Sequence, residues 1–157
     1  MTARKFMLQE LCIKIEDMCS AGFPYHAFLL EAVAIEFLGK ASVCNCDWSD
    51  FEKNGLYFKK GLFLLGSHYK KYEDKIYKNL RNGMAHFLGP KPGISLCSIK
   101  NEGVDAAKRH LTFQQDGNLL LVFEVLHNDF KKACLDLLKQ IPEDDYGNKI
   151  NLEFLNI

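Results

Sequence analysis

The sequence predicts a mostly α-helical bundle with a small antiparallel β-hairpin inserted before the last helix. Three observations predict it. Apolar residues recur at helical spacing through residues 4–88 and again over 124–140. A Gly-Pro-Lys-Pro-Gly run at 89–93 stops the first pattern. Between 94 and 123 the pattern changes to short β-type runs around an Asp-Gly pair.

The first helix spans about 4–19, where Phe6, Leu8, Leu11, Ile15 and Met18 form one apolar stripe, and Ala21-Gly22-Phe23-Pro24 ends it. The second, about 25–42, is apolar on most sides and therefore central; it carries Glu31 and Glu36 among its apolar residues. A third, about 49–65, opens with a Ser49/Glu52 capping box and carries Gly55 and Gly61 as possible bends. A fourth covers about 69–88. Strands are expected at 94–99, 110–115 and 119–123, the last two joined through Asp116-Gly117 as a hairpin. The final helix, 124–140, stops at Ile141-Pro142, and the tail Asn151 to Ile157 is apolar enough to dock on something.

A chain of 157 residues fits one domain, 1–157, with a full core. The 48% hydrophobic and 25% charged fractions are ordinary for a globular protein. Formal net charge is zero, which excludes coating of nucleic acid through bulk charge; any such contact must use a local patch. The six cysteines form no CxxC pair, and Cys44-Asn45-Cys46 lacks a second Cys/His pair at ligand spacing, so no metal site is expected. The opening MTARKFMLQEL has no apolar signal core, and no run is long enough to span a bilayer. The expectation is a cytoplasmic protein with reduced thiols, no membrane association and no cofactor.

The fourth helix concentrates the chemistry. At about 100° per residue, Tyr72, Ile76, Leu80, Gly83 and Phe87 make the core stripe, while Lys71, Lys75, Lys78, Asn82 and His86 share a neighbouring arc. Asn82 and His86 are spaced i,i+4, so an amide can orient an imidazole. His86 lies at the carbonyl end of the helix, which stabilises a cation there. Arg81 sits about 140° away from His86, so one helix alone does not join them easily. Gly83 allows a bend or the close approach of another backbone.

Arg81-Asn82-Gly83-Met84-Ala85-His86 resembles the RX4–6H motif of HEPN domains, and the helix-rich chain with this motif late in a helix is similar to that family. The motif covers six residues, the helical pattern most of the chain, and the strands at 94–123 depart from the simplest family bundles. The resemblance implies a HEPN-like bundle and a homodimeric, metal-independent endoribonuclease, with the motif helices of both subunits lining one cleft. It implies His86 as general acid or base, Arg81 as the phosphate-binding group and Asn82 as the residue orienting His86. Lys71, Lys75 and Lys78 would contact flanking phosphates of RNA, and the product would be a 2′,3′-cyclic phosphate. A toxin or defence role would bring a separately encoded antitoxin.

A structural reading of the same residues stands beside this one. A buried carboxylate on the second helix needs a partner, so Arg81 could pair with Glu31 or Glu36. His86 could cap its own helix, and the lysines, interleaved with Glu73 and Asp74, could form a solvated face. The chain would then be a non-catalytic HEPN-like binding or scaffolding module. His26, His68, His110 and His127 show no ligand spacing and read as surface or satisfied histidines.

Overall fold

A computed structural model describes residues 3–43 and 52–140. Helix α1 (3–20) is wound with wide, π-type turns over Phe6–Ile13 and as a regular α-helix over Lys14–Ser20. The chain reverses at Ala21-Gly22, and Pro24 occupies the first turn of α2 (Pro24–Ala41), where its missing N–H costs nothing. As its composition predicts, α2 is central: Ala27, Phe28, Ala32, Ala34, Ile35, Leu38 and Ala41 are all buried. Helix α3 (Asn54–Leu65) crosses it at backbone contact. A Cβ on Gly39 would stand 1.8 Å from the Tyr57 carbonyl oxygen, and one on Gly61 would stand 2.0 Å from that of Ile35. Gly61 is thus a contact point between helices. The Ser49 half of the expected capping box lies outside the described residues.

Helix α4 (67–87) begins as a 3-10 turn over Ser67–Tyr72, passes through Glu73–Lys75, widens to π-type turns over Ile76–Arg81 and ends as an α-helix at Asn82–Phe87. Ile76, Leu80 and Met84 enter the core. Leu88 terminates it with a left-handed backbone, φ 52°.

The sheet differs from expectation. Strands β1 (Ile94–Cys97) and β2 (Leu119–Val122) pair in parallel, Ile94 opposite Leu119 and Cys97 opposite Val122. The crossover between them contains a short helix, α5 (Ile99–Glu102), and a 3-10 segment, Val104–Arg109. The expected strand at 110–115 does not form. Leu111 takes φ 59°, a left-handed conformation that interrupts an extended run. What remains of the hairpin is one antiparallel bridge, Phe113 with Leu119, closed over Asp116-Gly117 by Gln114 N–H to Asn118 O at 2.8 Å. The last helix, α6 (Phe123–Gln140), follows β2 directly and packs on α1, α2 and α3 through Leu126, Phe130, Ala133, Cys134 and Leu137. No helix among the described residues is long and apolar enough to cross a membrane.

Candidate active site

Leu80 and Met84 fix the rotation of α4, and Arg81 consequently faces α2. Its Nε donates to Glu36 Oε2 at 2.8 Å, and its Nη1 donates to Asn82 Oδ1 at 3.2 Å. The other oxygen of Glu36 lies 3.8 Å from Lys40 Nζ. One carboxylate therefore stands between two cations in a largely buried setting, with the Arg81 and Glu36 side chains 16% and 11% exposed. Arg81 Nη2 has no hydrogen bond among the described residues and remains able to donate. Glu31, the other expected partner, does not reach Arg81. It lies five positions before Glu36, about 140° around α2, so only one of the two can face α4.

His86 occupies the last turn of α4, is exposed, and makes no hydrogen bond among the described residues. The expected Asn82–His86 contact is replaced by Asn82–Arg81: the only bond of the Asn82 side chain among the described residues is the one its oxygen accepts from the guanidinium. Arg81 and His86 thus stay on different sides of the helix, as their spacing predicts.

Gly83 explains how the helix end is held. After Leu88 the chain doubles back along the outside of α4. Lys91 N–H donates to Asn79 O at 2.8 Å, and Asn79 Nδ2 donates to Pro92 O at 3.1 Å. A Cβ at Gly83 would lie 2.6 Å from Gly89 O and 2.8 Å from Lys91 N, so only glycine lets this strap seat. Phe87, expected in the core stripe, is instead 69% exposed, because it lies beyond Met84, the last core contact of the helix.

Of the lysines assigned to phosphate contact, Lys71 and Lys78 are exposed and Lys75 is half-buried. Lys71 Nζ sits 5.2 Å from the Tyr72 ring centroid and Lys75 Nζ 5.5 Å from that of Phe113. Asp74 is turned to Lys59 at 2.5 Å, and that ammonium holds its carboxyl below the usual range. Sequence reasoning missed Lys91, which lies 4.9 Å from the exposed Phe87 ring, and Phe113. Both come from segments outside the helix, so no helical spacing signals them.

Three other polar clusters lie within the fold, and in the first of them Glu31 Oε1 is buried without a hydrogen-bond partner among the described residues. His127 and Glu31 are buried together, Nδ1 to Oε2 at 2.7 Å, while His127 Nε2 donates to Cys12 O at 2.8 Å. A carbonyl only accepts, so Nε2 carries a proton and a second one is shared with Glu31. Burial opposes charge on the imidazole, but the Glu31 hydrogen bond and charge outweigh it and raise its pKa. Tyr69 bridges His110 and Asp129 at 3.0 and 2.8 Å. Ser98 and Glu124 cap α5: Ile99 N–H donates to Glu124 Oε2 at 2.8 Å and Lys100 N–H to Ser98 Oγ at 3.2 Å. A cavity of about 230 Å³ opens beside that cap, between Glu16, Ser20 and Asn128.

No group of three or more His, Cys, Asp or Glu among the described residues could hold a metal ion. Cys12, Cys19, Cys97 and Cys134 are free thiols; Cys44 and Cys46 lie outside the described residues. No family model, no curated protein and no solved structure matches the chain.

Proposed function

We propose that the chain is a HEPN-type endoribonuclease acting as a homodimer without a metal ion. The observation that carries this reading is His86: an exposed imidazole with no hydrogen bond among the described residues, at the end of a helix anchored one turn earlier by Arg81 and Glu36. A histidine serving only to cap its helix would be bonded to a carbonyl.

The chemistry is an internal transesterification. One His86 removes the proton of a ribose 2′-hydroxyl, and that oxygen attacks the adjacent phosphorus. The bond from phosphorus to the 5′-oxygen breaks, and the His86 of the second subunit, protonated, returns a proton to that leaving oxygen. The products are a 2′,3′-cyclic phosphate and a 5′-hydroxyl. Arg81, with Nη2 unengaged, stabilises charge developing on the phosphoryl oxygens. Two subunits supply what one helix cannot, since Arg81 and His86 of one copy point apart. Surface for the second copy lies beside the motif: Leu88 is 71% exposed, and Tyr25, whose hydroxyl borders Gly89, is exposed as well. In a toxin or defence setting, a separately encoded antitoxin would restrain it.

One observation favours the second reading, a non-catalytic binding or scaffolding module. Arg81 is already paired with Glu36, and a phosphate must compete with that carboxylate. The deciding experiment incubates wild type and His86→Ala with mixed RNA in chelator and identifies the 3′ ends of any fragments. Cyclic phosphates from wild type alone are expected. A folded, dimeric wild type that leaves the RNA intact sinks the ribonuclease and leaves the module.

A further inference from the structure

We propose that the outer face of α4, with its returning strap and the Phe113 turn, is a track for single-stranded RNA leading to His86. The proposal rests on the ribonuclease reading and names its substrate: an unpaired strand, gripped through base stacking as well as charge.

The track is built from three ring–ammonium pairs, two on exposed rings and one on Tyr72, which is half-buried against the core. Lys91 lies against Phe87, Lys75 against Phe113 and Lys71 against Tyr72, with separations of 4.9, 5.5 and 5.2 Å. The strap links them in space. It leaves the helix after Phe87, crosses Gly83, bonds to Asn79 through Lys91 and brings Gly93 against Asn79 and Lys75. Gly93 then accepts from Leu119 N–H through its carbonyl and donates through its own N–H to Asn118 Oδ1 at 2.8 Å. That holds the 113–118 turn beside the helix, where the Phe113 and Tyr72 rings meet edge to face at 6.0 Å. The path from Tyr72 to Phe87 covers about 20 Å at the rise of a helix, long enough for several nucleotides.

The chemistry selects the occupant. Phe113 is 53% exposed and Phe87 is 69% exposed, and such rings present faces on which a flat aromatic group can stack. Each has an ammonium beside it; of the carboxylates in this region Asp74 pairs with Lys59 and Asp116 accepts from Asn118, while Glu73 makes no ion pair among the described residues. A polyanion carrying aromatic faces matches both features. A phosphate would draw each lysine off its ring and free the face for a base. A duplex hides those faces in its own stack, so it could use the lysines but not the rings.

The test uses the His86→Ala variant of the 157-residue chain, which would leave RNA uncleaved, and fluorescence anisotropy of a short labelled single-stranded RNA or the same strand annealed to its complement. The single strand is expected to bind more tightly than the duplex. Adding Phe113→Ala should weaken single-strand binding roughly tenfold, and Phe113→Tyr should keep it. Adding Lys91→Ala should lower the slope of log affinity against log salt by about 0.7. An unchanged thermal midpoint in each variant shows that the fold is kept. Single-strand binding indifferent to Phe113, equal affinity for the duplex, or no binding at low salt overturns the track. Cleavage by wild type together with Phe113-independent binding would sink the track alone. Phe113-dependent binding without cleavage would sink the ribonuclease alone.

Discussion

At the scale of single residues, Arg81 and His86 differ sharply across five positions of one helix: Arg81 is paired with Glu36 and His86 is exposed. Arg81 is a member of the fold before it is anything else, because the largely buried Glu36 carboxylate is held by its guanidinium. Removing the carboxylate leaves the largely buried Arg81 guanidinium without its ion-pair partner, and that arrangement is costly. Glu36→Gln is therefore expected to lower unfolding stability by about 3 kcal/mol in urea titrations. The double variant Glu36→Gln/Arg81→Met should lose less than the two single changes added together. Additive losses would mean the ion pair is not what holds α4 to α2. If the proposed ribonuclease holds, the same variants separate structure from chemistry: Arg81→Met should abolish RNA cleavage, and Glu36→Gln, tested below its melting range, should retain it. That Arg81 needs an acidic partner was readable from a charged residue beside a core stripe. That the partner is Glu36 and not Glu31 depends on how α2 is rotated, and His127, which claims Glu31, comes from a helix ninety-odd positions away.

At the scale of elements, the helix end is organised by a contact that a glycine permits. Gly83→Ala is expected to push Gly89 and Lys91 away from α4, break the Lys91–Asn79 hydrogen bond and cost about 1–3 kcal/mol. Hydrogen exchange should show the Lys91 amide losing protection while the buried amides of α2 keep theirs; an unaltered Lys91 amide would contradict the strap. The helices themselves were legible because their signal is local: apolar residues at a spacing of three and four, stopped by Gly and Pro. The sheet was not, because pairing between Ile94–Cys97 and Leu119–Val122 is remote in the chain, while the Asp116-Gly117 turn advertises a hairpin next door. One clue lay in Leu119-Leu120-Leu121-Val122 itself. It is apolar at every position and buried at every position, the mark of a strand covered on both faces and not of a half-exposed hairpin arm. The placement of Arg81, Asn82 and His86 on one helix was equally local; their contacts were not, since Asn82 turns to Arg81 and not to His86. Phe113 and Lys91 were not, since the strap and the turn that present them exist only once the chain has folded back on α4.

At the scale of the whole molecule, one hydrogen-bonded chain ties β2 to α4 and α6. Val122 N–H donates to His110 Nδ1 at 3.0 Å, so the neutral ring carries its proton on Nε2 and donates it to Tyr69, whose hydroxyl donates to Asp129 on α6. His68 approaches the same carboxylate at 3.5 Å. Protonating His110 would place a hydrogen on Nδ1 facing the Val122 N–H, and the link would break. Burial already works against that charge and holds the His110 pKa down from 6.5 to about 4. The unfolded chain therefore binds a proton that the folded protein refuses between these two values. Stability from this group is intact above pH 6.5, falls as pH drops through the interval, and is fully lost below about pH 4. The loss is on the order of 3 kcal/mol. His110→Gln cannot titrate, so the stability gap between wild type and variant, followed by urea unfolding across the interval, should shrink as the solution is acidified. Glu31 and His127 titrate in both proteins and cancel from the difference. A gap of constant size from neutral pH down to pH 4 would mean that His110 already accepts a proton in the folded state, and that the link from β2 through Tyr69 to α6 does not depend on a neutral ring.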